Sequence, residues 1–233
     1  DVLEFTSHGY DGYVFDGEGN RIDFTGYRAD CINDFALEYL DNRDKEKPFF
    51  LFVSQLEPHH QNDHHCYEGP KETVENYRGY PIPDDLNFLK GDYKESYPDY
   101  IAAINRLDEN VGRLVQKLRD IGEYENTVIV YTSDHGSHFK TRNAEYKRSC
   151  HDSCTHIPLL IFGGGFEGGK IDERLVSLID LPPTILKLAG ITVPESYSGN
   201  ILQVANKEVP ERDCVFIQIS ESQVGRAVRT KDW

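Results

Sequence analysis

The sequence has no methionine, one tryptophan and five cysteines in 233 residues, and its bases are far outnumbered by its acids. Without methionine it does not read as an intact translation product, so the expectation is a segment, or a processed form, of a longer chain. The cysteines (Cys31, Cys66, Cys150, Cys154 and Cys214) are scattered and odd in number, which excludes the paired framework of a small secreted scaffold and reads as free thiols. Cys150 and Cys154 have no second Cys or His pair at zinc-finger spacing, so no structural zinc is expected. No run approaches the ~20 apolar residues of a membrane span. The opening DVLEFTSHGYDG lacks the basic-then-apolar order of a secretory leader. Lys and Arg number 25 against 40 Asp and Glu, a net charge of -15, and form no basic stripe for a nucleic-acid backbone. An anionic substrate therefore requires a cleft whose field is reversed locally by cations or by a metal. Nothing in the sequence fixes the compartment.

With 38% apolar and 28% charged residues the chain is long enough for one sizeable core. Strand-like runs alternate with helical ones, no repeat or linker interrupts them, and the expected class is a layered α/β fold forming one domain or the larger part of one. ADCINDFALEYLDNRD places Ala29, Ile32, Phe35, Ala36 and Leu40 at helical spacing. The stretch from Pro48 to about Leu56 is dense in apolar residues and reads as a buried strand. Residues 69–98, rich in Pro, Gly and charge, read as a long loop. A helix is expected from Asp99 to near Gly122, on the repeat of Tyr100, Ile101, Ile104, Leu107, Val111, Leu114, Val115 and Leu118. VIVYTS and IPLLIF read as two further buried strands, the second closed by three glycines. DLPPTILKLAG reads as a short helix, CVFIQIS and RAVRT as late strands.

The chemistry lies where these strands stop. VIVYTSDHG turns from apolar to acid, imidazole and glycine, and in open α/β sheets ligands bind outside the carboxyl ends of strands. Asp134 and His135 are thus candidate metal ligands, although Asp and Gly are also common turn formers. Two more strand borders are polar: Glu57-Pro58-His59-His60, and the segment from Lys147 to His156 that leads into IPLLIF. Adjacent strands of one sheet would gather all three. A carboxylate and an imidazole can hold a divalent cation, a lysine can face an anionic oxygen, and a histidine can protonate a leaving group. His60, His64 and His65 are expected at the surface.

KPFFLFVSQLEPHHQ, DYIAAINRLDENVGRLVQKLRDIG, NTVIVYTSDHG, the spacing K-x-x-x-H-D-x-x-x-H-x-P from Lys147 to Pro158, LVSLIDLPPTILKLAGI and GRAVRTKDW occur in that order. Together they resemble the sulfatase family of the alkaline phosphatase superfamily. The resemblance implies an alkaline-phosphatase-like mixed sheet sandwiched between helices, incomplete at the amino-terminal side, with residues 1–233 forming a partial catalytic domain. It implies Asp134 and His135 as metal ligands, His135 standing where many sulfatases have Asn and others His. Calcium is the ion expected, with manganese, magnesium or zinc as alternatives. Lys147 matches the lysine that contacts the sulfate, and His59 the histidine near the leaving oxygen. His151, at a position often held by an aromatic residue, is a substrate contact or supports one.

The family's nucleophile is a formylglycine made in C/S-x-P-x-R, and this sequence has no such motif. The implied activity is hydrolysis of sulfate esters on a carbohydrate or similar small molecule, with the nucleophile and further acidic ligands outside this chain. The partner expected is the other half of the same domain. By itself the chain is expected to be inactive, with PFFLFV and IPLLIF exposed. Two rivals are a phosphomonoester or phosphonate hydrolase of the same superfamily and a non-catalytic relative.

Overall fold

The computed structural model describes residues 8–61, 64–166, 168–202, 211–220 and 224–232. Residues 1–7 of the opening segment read for a leader and the terminal Trp233 of the family-like GRAVRTKDW lie outside them. The chain divides into two compact units, Asp1–Tyr124 and Glu125–Trp233.

The first unit begins with a short hairpin, β1 (Tyr13–Phe15) paired antiparallel with β2 (Arg21–Asp23). Helix α1 follows at Arg28–Asn42, as the periodicity predicts. Its buried face is Arg28, Ala29, Asn33, Ala36 and Leu40, so the stripe is rotated toward Asn33, and Phe35 is left exposed. The expected long loop holds a 3-10 turn at Val74–Tyr77 and a single turn α2 at Asp84–Asn87. Its last six residues belong to α3, which spans Tyr93–Asp120. Pro98 lies inside that helix. Proline removes an N–H and disfavours helix in the residue before it, which is why the pattern reads as starting only at Asp99. The far end closes as expected: Gly122 N–H donates to the Arg119 carbonyl at 3.0 Å and Glu123 N–H to the Leu118 carbonyl at 2.8 Å, the paired bonds of a left-handed cap.

Helix α1 lies along α3. Asp30 meets Arg106 and Asn110, Asp34 meets Arg113 at 2.5 Å, and Asp41 meets Lys117. Both sets of numbers ascend, so the two helices run in the same direction. Tyr27, Ala29 and Leu107 form the packed centre beneath these pairs, with Tyr10 against it.

Residues 48–56 belong to no strand among the described residues. Phe50 and Phe52 are 70% and 78% exposed, which corrects the reading of a buried strand and agrees with the expected exposure of PFFLFV. An apolar run becomes a strand only where a neighbouring strand satisfies its backbone, and among the described residues none does. The segment is anchored instead at its end, by Glu57. This carboxylate is buried against the equally buried Arg28 guanidinium, with Oε1 2.8 Å from Nη2 and 3.0 Å from Nε. Burial pushes the Glu57 carboxyl above its usual range, and Arg28 pulls it back without cancelling the effect.

In the second unit β3 (Ile129–Thr132) pairs antiparallel with β4 (Leu159–Phe162), from Ile129 opposite Phe162 to Thr132 opposite Leu159. Neither strand is buried on both faces as expected: β3 is half-buried throughout and Leu160 is 60% exposed. A single turn α4 (Asp152–Thr155) precedes β4. Gly163, the first of the three closing glycines, has φ +85°, and a Cβ there would collide with the Thr127 carbonyl, so glycine is required. Helix α5 is Leu181–Leu188, with proline in its first turn as read. Before it, the buried Asp180 carboxylate accepts from Arg212 at 2.9 and 2.6 Å and from the backbone N–H groups of Ser177 and Asn200. The late strands form a hairpin, β5 (Val215–Ser220) with β6 (Val224–Arg229). The strands make three antiparallel pairs among the described residues. None of the five cysteines is joined in a disulfide. No helix among the described residues is long and apolar enough to cross a membrane.

Removing one partner of a buried ion pair strands the other charge away from water. Glu57→Ala is therefore expected to lower the unfolding free energy of the full protein by about 3–5 kcal/mol. Arg21→Ala breaks the exposed pair with Asp23 and should cost under about 1 kcal/mol. Urea denaturation of both variants checks this, and equal losses would show that burial of the first pair is immaterial.

Candidate active site

Because β3 and β4 are antiparallel, the carboxyl end of β3 and the amino end of β4 meet at one end of the pair. A parallel pair would have put Asp134 and the Lys147–His156 segment at opposite ends. Thr132 Oγ1 ties the two ends directly, donating to the Pro158 carbonyl at 2.9 Å.

Past β3, Asp134 Oδ1 accepts the His135 N–H at 2.9 Å, which fixes the carboxylate against its own backbone. The other oxygen, Oδ2, lies 3.4 Å from His135 Nε2, and the Asp134 side chain is 82% exposed. His135 Nδ1 is 2.8 Å from the Gly136 carbonyl, a contact that requires the proton on Nδ1. In the neutral ring Nε2 then carries the lone pair and faces the same side as Oδ2. Asp134 and His135 thus present an oxygen and a nitrogen donor side by side, as a divalent cation requires. Among the described residues no group of three or more His, Cys, Asp or Glu is arranged to hold a metal. The pair fits as part of a coordination shell, two donors where calcium takes about six to eight.

The glycine of the motif has a structural cause. Gly136 N–H donates to the Cys154 carbonyl at 2.9 Å, and a Cβ at Gly136 would collide with the Ser153 carbonyl. Only a residue without a side chain lets the strand end approach α4 so closely.

Two residues further on, the chain grips the lysine segment. Ser137 Oγ and the His138 N–H both donate to the Tyr146 carbonyl, at 3.1 and 2.8 Å. His138 Nε2 donates to the Lys147 carbonyl at 2.8 Å. Asn143 Nδ2 reaches the carbonyls of Lys147 and Arg148, each at 3.3 Å. The Lys147 ammonium lies 5.6 Å from the centre of the Tyr146 ring. The structure therefore brings Asp134 and His135 together and ties Lys147 to the strand that carries them. His151 is exposed at the start of α4, in extended conformation, and its carbonyl accepts the N–H groups of Cys154 and Thr155.

His59 belongs to the first unit, two residues past the buried Glu57, across a cis Glu57–Pro58 bond. Its Nδ1 donates to the His60 carbonyl at 2.6 Å, which fixes the proton of the neutral ring on that nitrogen. His60 is buried, edge-on to Tyr67 at 5.2 Å, which corrects the expectation of a surface position. His64 and His65 are exposed as expected, His64 paired with Glu68.

Ser137, His138 and Asn143 escaped the sequence reading. They sit in an aperiodic polar stretch where nothing distinguishes a buried clamp from a solvated loop, and only their contacts reveal them.

The fold is shared with solved structures. The chain superposes on a protein solved in complex with its substrate D-glucosamine-2-N,6-O-disulfate, with a TM-score of 0.79 at 23% identity, covering 97% of this chain and 63% of that one. A putative sulfatase from Bacteroides fragilis gives a TM-score of 0.77 at 20% identity, over 99% and 53%. These likenesses establish the alkaline-phosphatase-like α/β fold. The sulfatase family model matches residues 5–191, and the chain belongs to the sulfatase family. Its relatives include an N-acetylglucosamine-6-O-sulfatase of Bacteroides thetaiotaomicron, 26% identical over 80% of this chain and 47% of that protein. Arylsulfatase K of Bos taurus is 32% identical over 61% of this chain and 26% of that protein. The chain thus spans about half the length, or less, of these relatives.

Burial lowers the basicity of His138, and His151 and Arg142 oppose its protonation further. Its pKa in the fold lies below the ordinary 6.5, so between the two values the unfolded chain binds the extra proton. Stability is accordingly full above about pH 6.5 and declines as pH falls through that value. Thermal melting of the full protein should show this loss, and His138→Gln, which cannot titrate, should flatten it. An unchanged slope in the variant would place the titration elsewhere.

Proposed function

We propose that the protein of which this chain is part hydrolyses sulfate esters of small sugars. The observation that carries the reading is the coupling of a two-donor cation pair to a held lysine, in a chain of the sulfatase family. The substrate class follows the relatives: one is named for N-acetylglucosamine 6-O-sulfate and another was solved with a disulfated glucosamine.

Asp134 Oδ2 and His135 Nε2 would hold the divalent metal, calcium in the first instance, which when bound withdraws charge from the sulfate oxygens. Lys147 would place its ammonium against those oxygens and offset the charge that grows as the ester bond breaks. His59, as the doubly protonated imidazolium, would give its Nε2 proton to the leaving sugar oxygen while keeping the one on Nδ1, and His151 would contact the substrate. The nucleophile, a formylglycine, and the remaining acidic ligands belong to segments outside this sequence, as does the other half of the domain. Residues 1–233 make up part of that catalytic domain.

A second reading rests on His135. Imidazole suits manganese or zinc better than calcium, and a phosphonate monoester hydrolase from Silicibacter pomeroyi shares the fold with a TM-score of 0.55. Assaying sulfate, phosphate and phosphonate esters side by side, with metal analysis of the purified protein, separates the two. Preference for the phosphorus esters with bound manganese or zinc would displace the sulfatase reading.

Asp134→Ala in the full protein should abolish metal retention while leaving the fold intact, since an exposed side chain past a strand end can be removed without opening a core. Metal content at wild-type level by elemental analysis would refute the ligand assignment. Lys147→Ala should lower kcat/KM for sulfate esters by roughly 100-fold or more. Lys140→Ala, in the same basic stretch but exposed, should change it little. Equal effects of the two would reduce Lys147 to general surface charge.

A further inference from the structure

We propose that His138 is a positioning residue: its buried imidazole holds the backbone carbonyl of Lys147 and thereby aims the lysine ammonium. The proposal rests on the reading of Lys147 as the group that meets the sulfate.

His138 is completely buried, which is costly for a ring with two polar atoms unless those atoms do something there. Its Nε2 faces the Lys147 carbonyl at 2.8 Å, and a carbonyl can only accept, so the proton sits on Nε2. The ring's other nitrogen, Nδ1, has no hydrogen-bond partner among the described residues. A protonated ring would bury a second N–H with no acceptor, and burial disfavours the charge in any case. His138 is thus held neutral, in one tautomer, as a donor to one atom.

That atom is well placed to govern a side chain. The direction of a carbonyl is set by ψ of its own residue, and ψ also sets how the Cα–Cβ bond leaves the backbone there. Two anchors flank the His138 bond: the Tyr146 carbonyl takes the Ser137 hydroxyl and the His138 N–H, and Asn143 Nδ2 spans the next two carbonyls. Arg148, immediately after Lys147, adopts φ +64°, a left-handed conformation that a non-glycine residue keeps only when its surroundings impose it. Lys147 therefore leaves a backbone fixed on both sides, its ammonium over the Tyr146 ring, and the fixing groups come from the strand end that carries Asp134 and His135. The two halves of the candidate site are held in register by residues that need never touch substrate.

The test is a mutant cycle in the full-length enzyme with a sulfate ester. His138→Leu should lower kcat by roughly 10- to 100-fold with little change in KM, the scale of a catalytic group displaced by about 1 Å. His138→Gln, whose amide can still donate to the Lys147 carbonyl, should recover most of the loss. In a Lys147→Ala background His138→Leu should have no further effect beyond about twofold, because the group it aims is already gone. Equal losses from His138→Leu in both backgrounds, or no recovery with Gln, would overturn the proposal and leave His138 a packing residue. If Lys147→Ala alone keeps full activity, the reading of Lys147 fails first, an outcome told apart because it needs no change at His138. Should the Leu variant not fold, Asn143→Ala removes the neighbouring clamp on the same carbonyl and is put through the same cycle. Coupling to Lys147 supports the proposal, and simple additivity overturns it.

Discussion

Backbone polar groups that leave a strand must find partners, and in the second unit that requirement shapes everything around the candidate site. After Thr132 the chain has no further rung on β4, yet residues 136–138 run through protein rather than along its surface. Gly136 N–H takes the Cys154 carbonyl and His138 N–H takes the Tyr146 carbonyl, so one short stretch is pinned on both sides by the loop that returns to β4. The close approach admits only glycine at 136. It also buries Ser137 and His138 and makes them donors to the returning loop rather than to water. A requirement that began with the backbone therefore ends by fixing which side chains can be functional: Asp134 and His135 stay outside the pinned stretch, and Lys147 is drawn to it.

The first unit meets a similar demand with charge. The 48–56 segment has no ladder to hold it, and what fixes its end is the buried Arg28–Glu57 pair, joining the start of α1 to the residue two before His59. A buried ion pair is a poor source of net stability, because the desolvation of both ions offsets most of their attraction. Its value here is geometric: an uncompensated charge is so costly that the two residues cannot drift apart. His59 inherits that fixity, and its Nδ1 bond to the next carbonyl sets the tautomer of the neutral ring.

Periodic elements were legible in the sequence because their signal is local. α1, the body of α3, α5 and the β5–β6 hairpin lie where spacing, prolines and glycines put them. The first turn of α3 was hidden by Pro98, whose local rule argues against helix while the buried Tyr93 and Tyr97 on either side of that turn favour it. The apolar runs were misread for a different reason. PFFLFV shows side chains that prefer to be buried, but a strand is a property of two segments, and no composition reveals whether the second one is present. The candidate residues Asp134, His135, Lys147 and His59 were named from motif and order. His138 could not be, since its role lies in a contact with a residue nine positions away that leaves no pattern.

The acidity of the chain bears on how a sulfate ester would be received. At -15 the chain as a whole repels an anion, but at physiological salt charges more than about 8–10 Å apart are largely screened, so the field at the candidate site is set by its neighbours. Four cations lie between residues 140 and 148, and Arg148 is paired with Glu145. Asp134 works against the cations of this segment until a divalent ion sits between it and His135. Binding of the cation would then change the sign of the site's contribution, from one carboxylate to a net positive centre beside the held lysine. An anionic substrate would thus be attracted more strongly to the metal-loaded protein, and the surrounding acidity would discourage its binding elsewhere.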